Sequence, residues 1–217
     1  MPHDHHHNHS CADESNGHDH DHDHDHDTSD LGPQDNLFSH VDRGVVRALN
    51  ASNGDGPEVI KPWHERLDES KFLESDADDQ MIIRIPFTGA VRLRSVLLKT
   101  GPADQTPTKA VLFANAADMD FDDVADKAPT QEFDIAQGRE VGEYAVKTAK
   151  FSNISSITLF FPGAQGAENT RIYYVGFLGH WQERNTNIPV TVYEAQANLA
   201  DHEKIAGTDG NFSMLGS

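Results

Sequence analysis

Short apolar segments separated by turn-forming residues fill the chain from Met81 to Tyr193, and they limit its fold more than any other feature. The segments read MIIRIPF, VRLRSVLLKT, TKAVLFAN, QEFDI, GEYAVKTAKF, SITLFFP, RIYYVGFLGHW and IPVTVY. Turn chemistry lies between them, as in PFTGA, KTGPADQTP, PGAQGAEN and ERNTN. Because no helical period intervenes, the pattern predicts an all-β fold, a single jelly-roll β-sandwich of about eight strands. ITLFF and IYYVGFL are apolar on both faces, which predicts central strands.

The segment before these strands has a different period. In NLFSHVDRGVVRALN, apolar residues recur every four positions at Leu37, Val41, Val45 and Leu49. This spacing predicts one short N-terminal helix, weakened by Gly44 and ended by NASNGDGP. The next stretch, VIKPWHERLDESKFLESDADDQ, has no clean period, so we expect a long ordered segment lying across the domain.

The N-terminal region differs in amino-acid composition from the rest of the chain. Residues 1–30 hold ten of the fourteen histidines and nine acids, with no Lys or Arg. Such a composition predicts a disordered His/Asp-rich tail over residues 1–30. We therefore expect a folded domain over residues 31–203 and a flexible C-terminal tail over residues 204–217.

The tail also contains the repeat GHDHDHDHDHD. In an extended chain this alternation places the imidazoles on one side and the carboxylates on the other, so the histidines can share a Zn, Ni or Cu ion. The candidate ligands are His18, His20, His22, His24 and His26. Two interpretations stay open: a solvating disordered extension, or metal buffering and pH-tuned charge. In either case metal binding is weak and adventitious, and the fold requires no cofactor.

Charge and cysteine content exclude several classes of protein. A formal net charge of −19 argues against nucleic acid binding, which needs clustered Lys and Arg. The densest basic group, Arg92, Arg94 and Lys99, is interpreted as one solvated strand face. No apolar run approaches the roughly 18 residues of a membrane span, so we expect no membrane partner. Cys11 is the only cysteine, which excludes an internal disulfide and suits a reducing compartment, cytoplasmic or nuclear.

Motifs of known enzymes are incomplete or missing. HERLD at His64 and HEKIA at His202 begin like the zinc-protease motif HExxH, but the fifth residues are Asp68 and Ala206. Neither the GxSxG elbow, nor the GxxxxGK[ST] phosphate loop, nor the GxGxxG fingerprint occurs. The sequence therefore predicts no enzyme.

The segment DMDFDDVADKAP has acids at the first, third and fifth positions of a calcium loop, Asp118, Asp120 and Asp122. Asp123 replaces the glycine of the sharp turn, and Pro129 replaces the closing Glu. We therefore favour a polar loop that is anchored to the edge of the core by its intervening apolar residues.

Two neighbouring stretches are candidates for partner binding. In KPW, which starts at Lys61, Pro62 stiffens the chain beside Trp63, an aromatic residue of the type that dominates binding hot spots. The alternative is that Trp63 is buried and seals one end of the sandwich. In ESDADD, an acidic edge is positioned to steer a basic partner surface. Its alternative interpretation is a turn in which carboxylates accept hydrogen bonds from backbone amides; the acids are Glu74, Asp76, Asp78 and Asp79.

The stretch KPWHERLDESKFLESDADDQMIIRIPFTGAVRLRSVLLKT resembles the core of the PITH domain, the proteasome-interacting thioredoxin-like protein domain. The same order of segments continues with VLFANAADMDFDDV, APTQEFDI, KFSNISSITLFFPGAQGAENTRIYYVGFLGHW and VTVYEAQANLADHE. The resemblance covers about Leu31 to His202. It is greatest to stand-alone members of the family, which share the His-rich start and the ending YEAQANLADH, where Leu199 replaces the usual Pro.

The resemblance implies a jelly roll similar to galactose-binding-like domains and a non-enzymatic adaptor role. In the thioredoxin-linked branch the domain attaches to the 26S proteasome regulatory particle. The chain has no CxxC, so redox activity is not carried over. We expect a monomer of cytoplasm and nucleus with a protein partner, plausibly the proteasome. The alternative function is binding of a small sugar-like ligand in a pocket of loops, and the exposure of Trp63 and Trp181 discriminates between the two.

Overall fold

A computed structural model of the chain describes residues 32–116 and 118–183. In these ranges the regular elements are β1 Arg47–Leu49, β2 Leu73–Glu74, β3 Met81–Thr100, β4 Lys109–Ala114, α1 Phe121–Asp126, β5 Gln131–Asp134, β6 Gly142–Ala145, β7 Ile154–Phe161 and β8 Arg171–Gln182. Short 3-10 turns connect several of them. None of the helices in these ranges is long and apolar enough to cross a membrane. The predicted strand IPVTVY and both predicted tails lie outside the described residues.

Strand β3 joins two layers of sheet. The predicted strands MIIRIPF and VRLRSVLLKT are one continuous strand, with a shift of register between Pro86 and Val91. Its first part pairs with β1 and β7, and its second part pairs with β6 and β8, always antiparallel. All eight strands belong to one hydrogen-bonded sheet that β3 divides into two parts. The part formed by β2, β8, β3 and β6 is named layer one, and the part formed by β1, β3, β7, β4 and β5 is named layer two. The predicted all-β sandwich is therefore confirmed, with β7 and β8 as central strands.

The main core lies between the layers because the side chains of β3 alternate. Met81, Ile83 and Ile85 belong to the core cluster and are fully buried. Ile82 belongs to a separate cluster on the outer face of layer two. Each such side chain stabilises the fold by about 1.5–3 kcal/mol on burial. The alternation thus gives layer two an apolar outer face that must be covered.

Helix α1 covers this outer face. Val124 of α1 and Met119, just before it, pack with Ile82 in the outer cluster. The side chain of Asp120 accepts a hydrogen bond from the backbone N–H of Asp123, whose side chain accepts one from the backbone N–H of Asp120. This reciprocal cap satisfies two otherwise free amides. The acids therefore start a helix where a loop was predicted, whereas the predicted anchoring of this segment by its apolar residues, Met119 and Phe121, is confirmed.

The predicted N-terminal helix is wrong. Two 3-10 turns, Phe38–His40 and Arg43–Val45, precede strand β1. The backbone amide of Leu37 donates a hydrogen bond to the carbonyl oxygen of Phe177 in β8. Val41 forms an isolated antiparallel β-bridge with Phe87 in β3. Val45, a member of the supposed helical stripe, is 48% exposed. Hydrogen bonds to neighbouring strands replace helical ones here, so the apolar spacing of four reflects contacts with two different strands.

Candidate functional site

The segment Lys61–Lys71, named the anchored loop, lies on the outer face of layer one. Pro62 is extended, with φ of −63°, and its carbonyl accepts a hydrogen bond from the backbone N–H of Glu65, which closes a 3-10 turn at Trp63. Trp63 is half-buried and packs against a small outer cluster that includes Tyr174. Burial raises the pKa of the Tyr174 phenol to about 12. Trp63 is therefore neither a free anchor nor a sealed core residue.

Lys61 holds the two ends of the anchored loop together. Its side chain is 4% exposed, and Nζ donates to the carbonyl oxygens of Asp68 at 2.7 Å and Lys71 at 2.8 Å. A third bond reaches Oδ2 of Asp68 at 3.1 Å. An ammonium has three donors, and all three are satisfied. Lys61, predicted to bind a partner, therefore faces inward and shapes the loop instead.

Asp68 is the second fixed point of the loop. Its Oδ1 accepts a hydrogen bond from the backbone N–H of Ser70 at 3.0 Å. Hydrogen bonds from Ser70, followed by the contact with Lys61, lower the pKa of the Asp68 carboxyl to about 2. The fifth residue of HERLD is thus a permanently charged structural carboxylate. It ties the loop rather than completing a metal site.

The exposed side of the loop combines apolar, cationic and acidic groups, and Glu65 is one of the acids. The guanidinium of Arg66 lies 4.4 Å from the ring centroid of Trp63 and donates to the Trp63 carbonyl oxygen at 2.9 Å. Gly32, with φ of +74°, lies against the ring, and a Cβ there would be 2.3 Å from Cγ of Trp63. Leu67 is 47% exposed, although leucine is usually buried. Trp63 is thereby held in place beside an exposed leucine.

At the start of the predicted acidic edge, Glu74 forms an internal ion pair. The Nε of Arg171 donates to Oε2 of Glu74 at 2.7 Å, and a second guanidinium nitrogen contacts the same oxygen. The same guanidinium lies 4.4 Å from the ring centroid of Phe72. Both charged groups are half-buried, so Glu74 stabilises the β2–β8 edge.

The remaining acids of this edge divide into two kinds. Oδ1 of Asp78 accepts from the side-chain amide of Asn50 at 2.8 Å, and Oδ2 of Asp79 accepts from the backbone N–H of Ala164 at 2.9 Å. Oδ1 of Asp78 also accepts from the backbone N–H of Gln80, so both carboxylates accept hydrogen bonds from backbone amides, as the alternative interpretation expected. Asp76 is exposed and forms no side-chain hydrogen bond with the residues that the structure describes. Among the acids predicted to steer a partner, Asp76 is the most accessible, and steering stays a prediction.

The predicted solvated basic face is only partly correct. A register shift between Leu93 and Ser95 changes the alternation, so Arg92, Arg94 and Lys99 lie on the same outer face of layer one. Lys99 is nevertheless buried: its Nζ pairs with Oε1 of Glu69 at 2.9 Å and donates to the carbonyl oxygen of Arg139 at 2.5 Å. The anchored loop covers this end of the face, and only the Arg92 and Arg94 end is exposed.

A second feature lies at the other end of that face. The rings of His40 and Trp181 stack with centroids 4.4 Å apart and an interplanar angle of 12°. They border an open cavity of about 400 Å³ that Asp35 and His180 also line. The sequence pointed to Trp181 as a residue whose exposure bears on a ligand pocket, but it did not point to His40. The site brings together the N-terminal turns and the end of β8, which are distant in sequence.

The predicted metal ligands of the tail, His18, His20, His22, His24 and His26, lie outside the described residues. Within residues 32–116 and 118–183, no group of three or more His, Cys, Asp or Glu residues is arranged to hold a metal ion. His64 of the incomplete HExxH motif is exposed and lies 3.6 Å from Glu65. Metal binding by the tail stays a prediction.

The fold and its surfaces define an antiparallel β-sandwich with a tied loop on one outer face. The sequence model of the PITH domain matches residues 27–197, and the chain belongs to the PITH domain family. It is 37% identical over 178 residues to PITH domain-containing protein 1 of Danio rerio, covering 81% of this chain and 84% of that protein. The mouse protein of the same name is 39% identical over 171 residues, covering 76% and 80%. These names describe a domain and state no enzymatic activity.

The solved structures that match the chain have little sequence in common with it. The CBM32-1 and CBM32-2 domains from Clostridium perfringens ZmpB match with a TM-score of 0.49 at 8% identity, covering 65% of this chain and 35% of that chain. The family 32 CBM from C. perfringens NanJ, in complex with galactose, matches with a TM-score of 0.44 at 9% identity, covering 64% and 97%.

Proposed function

We propose that this chain is a non-enzymatic adaptor that binds a protein partner through the anchored loop. The observation that carries the proposal is Leu67, 47% exposed on a loop tied at both ends by Lys61. Beside it, Trp63 and Arg66 are of the residue types that dominate binding hot spots. A loop that is already ordered loses little conformational freedom on binding, which favours affinity.

The negative charge of this chain suggests which groups surround the binding pocket on the partner. The chain has a formal net charge of −19, Glu65 is exposed on the loop itself, and Asp76 is exposed shortly after the loop in sequence. A partner surface with an apolar pocket ringed by basic groups complements this pattern. Charge of this kind acts mainly on the association rate, so we expect association to weaken as salt is raised.

The 26S proteasome regulatory particle is the partner that we propose, on the strength of the family resemblance. We further propose that the chain acts as a monomer in the cytoplasm and nucleus, where a single cysteine suits the reducing conditions. Neither nucleic acid nor a membrane is a partner in this account.

The test uses the full chain and purified regulatory particle at low salt. We expect the immobilised chain to retain the particle, and Leu67→Glu to abolish retention because it places a charge in an apolar contact. Val45→Glu is the matched control, since Val45 is 48% exposed on a different turn. No retention by the wild-type chain would refute the choice of partner. Equal retention by the two variants would refute the choice of loop.

A second candidate function is binding of a small ligand. It is favoured by the cavity of about 400 Å³ beside the stacked rings of His40 and Trp181. Aromatic surfaces next to a few polar groups are common in ligand sites. The two candidates use different surfaces, so Leu67→Glu leaves ligand binding unchanged if both are correct.

A further inference from the structure

Strand β3 carries basic residues whose charges are compensated, with one exception. Arg84 contacts Asp118 at 2.5 Å, Arg94 contacts Asp35 at 2.8 Å and Lys99 contacts Glu69 at 2.9 Å. Arg94 has a second acid, Glu143, at 3.1 Å. The side chain of Arg92, the remaining basic residue of this strand, forms no ion pair or hydrogen bond with any residue in the described ranges. In a chain with 36 acids and 17 bases, such a guanidinium is unusual.

The residue opposite Arg92 does not compensate its charge. Arg92 pairs with His180 in the register of β3 and β8, and both side chains are exposed. Residues directly opposite on neighbouring strands share a face, and opposite charges there are stabilising whereas like charges are not. A guanidinium and an imidazole both offer N–H donors, and neither is an acid. The nearby carboxylate of Asp35 is already bonded to Arg94.

These donors border an open cavity. It has a volume of about 330 Å³ and adjoins the cavity at His40 and Trp181 through shared residues. Its lining includes Asp35, Arg92, Arg94, Thr148 and His180. Thr148 adds a hydroxyl group to the guanidinium and imidazole donors. The lining therefore supplies several hydrogen-bond donors and one carboxylate, which is itself neutralised.

We infer that this cavity binds an oxyanion, the phosphate or carboxylate group of a small molecule, between Arg92 and His180. The guanidinium presents a planar fork of donors that matches two oxygens of such a group, and bonds between charged partners are stronger than neutral ones. The inference gives a chemical class to the ligand of the second candidate function. It is independent of the anchored loop.

The test is a titration of the isotope-labelled full chain, followed by amide NMR at constant ionic strength. Inorganic phosphate and acetate are the probes, chloride is the reference ion, and a neutral monosaccharide is a separate probe. We expect saturable shifts at the amides of Arg92, Thr148 and His180. Tighter binding of phosphate identifies a phosphate ligand, and tighter binding of acetate identifies a carboxylate ligand. Shifts without saturation, or saturation by the monosaccharide alone, would overturn the inference.

Substitutions distinguish oxyanion binding at this specific cavity from a general effect of positive charge. Arg92→Gln should weaken binding by about tenfold or more, since it removes a charge-assisted pair. His180→Gln provides an independent second test from the other strand. Arg139→Gln removes the same charge at another exposed position and should leave affinity unchanged. Equal losses in the Arg92 and Arg139 variants, with circular dichroism unchanged, would show a diffuse charge effect and overturn the inference.

Discussion

Lys61 is the residue on which the anchored loop depends. Lys61→Met removes the donor to two carbonyl oxygens and one carboxylate while keeping the apolar stem. Acceptors left without partners should lower the free energy of unfolding by about 2 kcal/mol. Urea denaturation measures this free energy. The control is Lys71→Met at an exposed position, which should change the free energy of unfolding by under about 0.5 kcal/mol. Similar small effects for both variants would contradict the role of Lys61.

Asp68 makes stability depend on pH. Its carboxyl has a pKa of about 2 in the folded chain against 3.8 for an unperturbed aspartate, so at pH 3 the unfolded chain binds more protons. The stabilisation is complete above about pH 5 and is lost as pH falls through 3.8 towards 2. Because Asp68 is 35% exposed, the effect is modest. Asp68→Asn should flatten the decline in unfolding free energy between pH 5 and 2; an unchanged decline would contradict this pKa.

For single residues, the sequence predicts a structural role when the hydrogen-bond partner is close in the sequence. Asp78 accepts from the backbone N–H of Gln80 two residues away, which is the kind of turn that ESDADDQ suggested. The burial of Lys61 and the stacking of His40 on Trp181 were not predictable. Both depend on segments that only the tertiary fold brings together.

The anchored loop, considered as an element, depends on the close contact of Gly32 with the ring of Trp63. At Gly32, φ is +74° and a Cβ would lie 2.3 Å from the ring of Trp63, so Gly32→Ala should displace the indole. We expect a red-shifted tryptophan emission and a loss of about 1–3 kcal/mol in unfolding free energy. Gly44→Ala, with no neighbouring atom nearer than 3.8 Å, is the control. An unshifted emission in Gly32→Ala would contradict the packing of the ring.

The sequence predicted the strands whose side chains alternate between buried and exposed or are apolar on both faces. It did not predict the conformation of the segment that pairs with the edges of other strands. The alternation in β3 and the two apolar faces of β7 and β8 were legible in the sequence. The segment from Leu37 to Leu49 was misread because its apolar residues contact different strands at a spacing that imitates a helix. PFTGA was read as a loop, whereas a register shift lets β3 continue through it.

For the whole molecule, we expect the sandwich to fold without metal bound to the His/Asp-rich tail. The main core cluster consists of hydrophobic side chains, and the candidate tail ligands precede residue 27, where the family match begins. Addition of a chelator should therefore leave the melting temperature of the full chain unchanged. A fall of several degrees on chelation would show that metal supports the fold.

We propose above that the molecule binds the regulatory particle through the anchored loop. Hydrogen exchange of the full chain with and without purified particle measures this contact residue by residue. We expect slower exchange at residues 62–71 in the complex and unchanged exchange at the Arg43–Val45 turn. Binding that protects other residues and leaves 62–71 unchanged would contradict it.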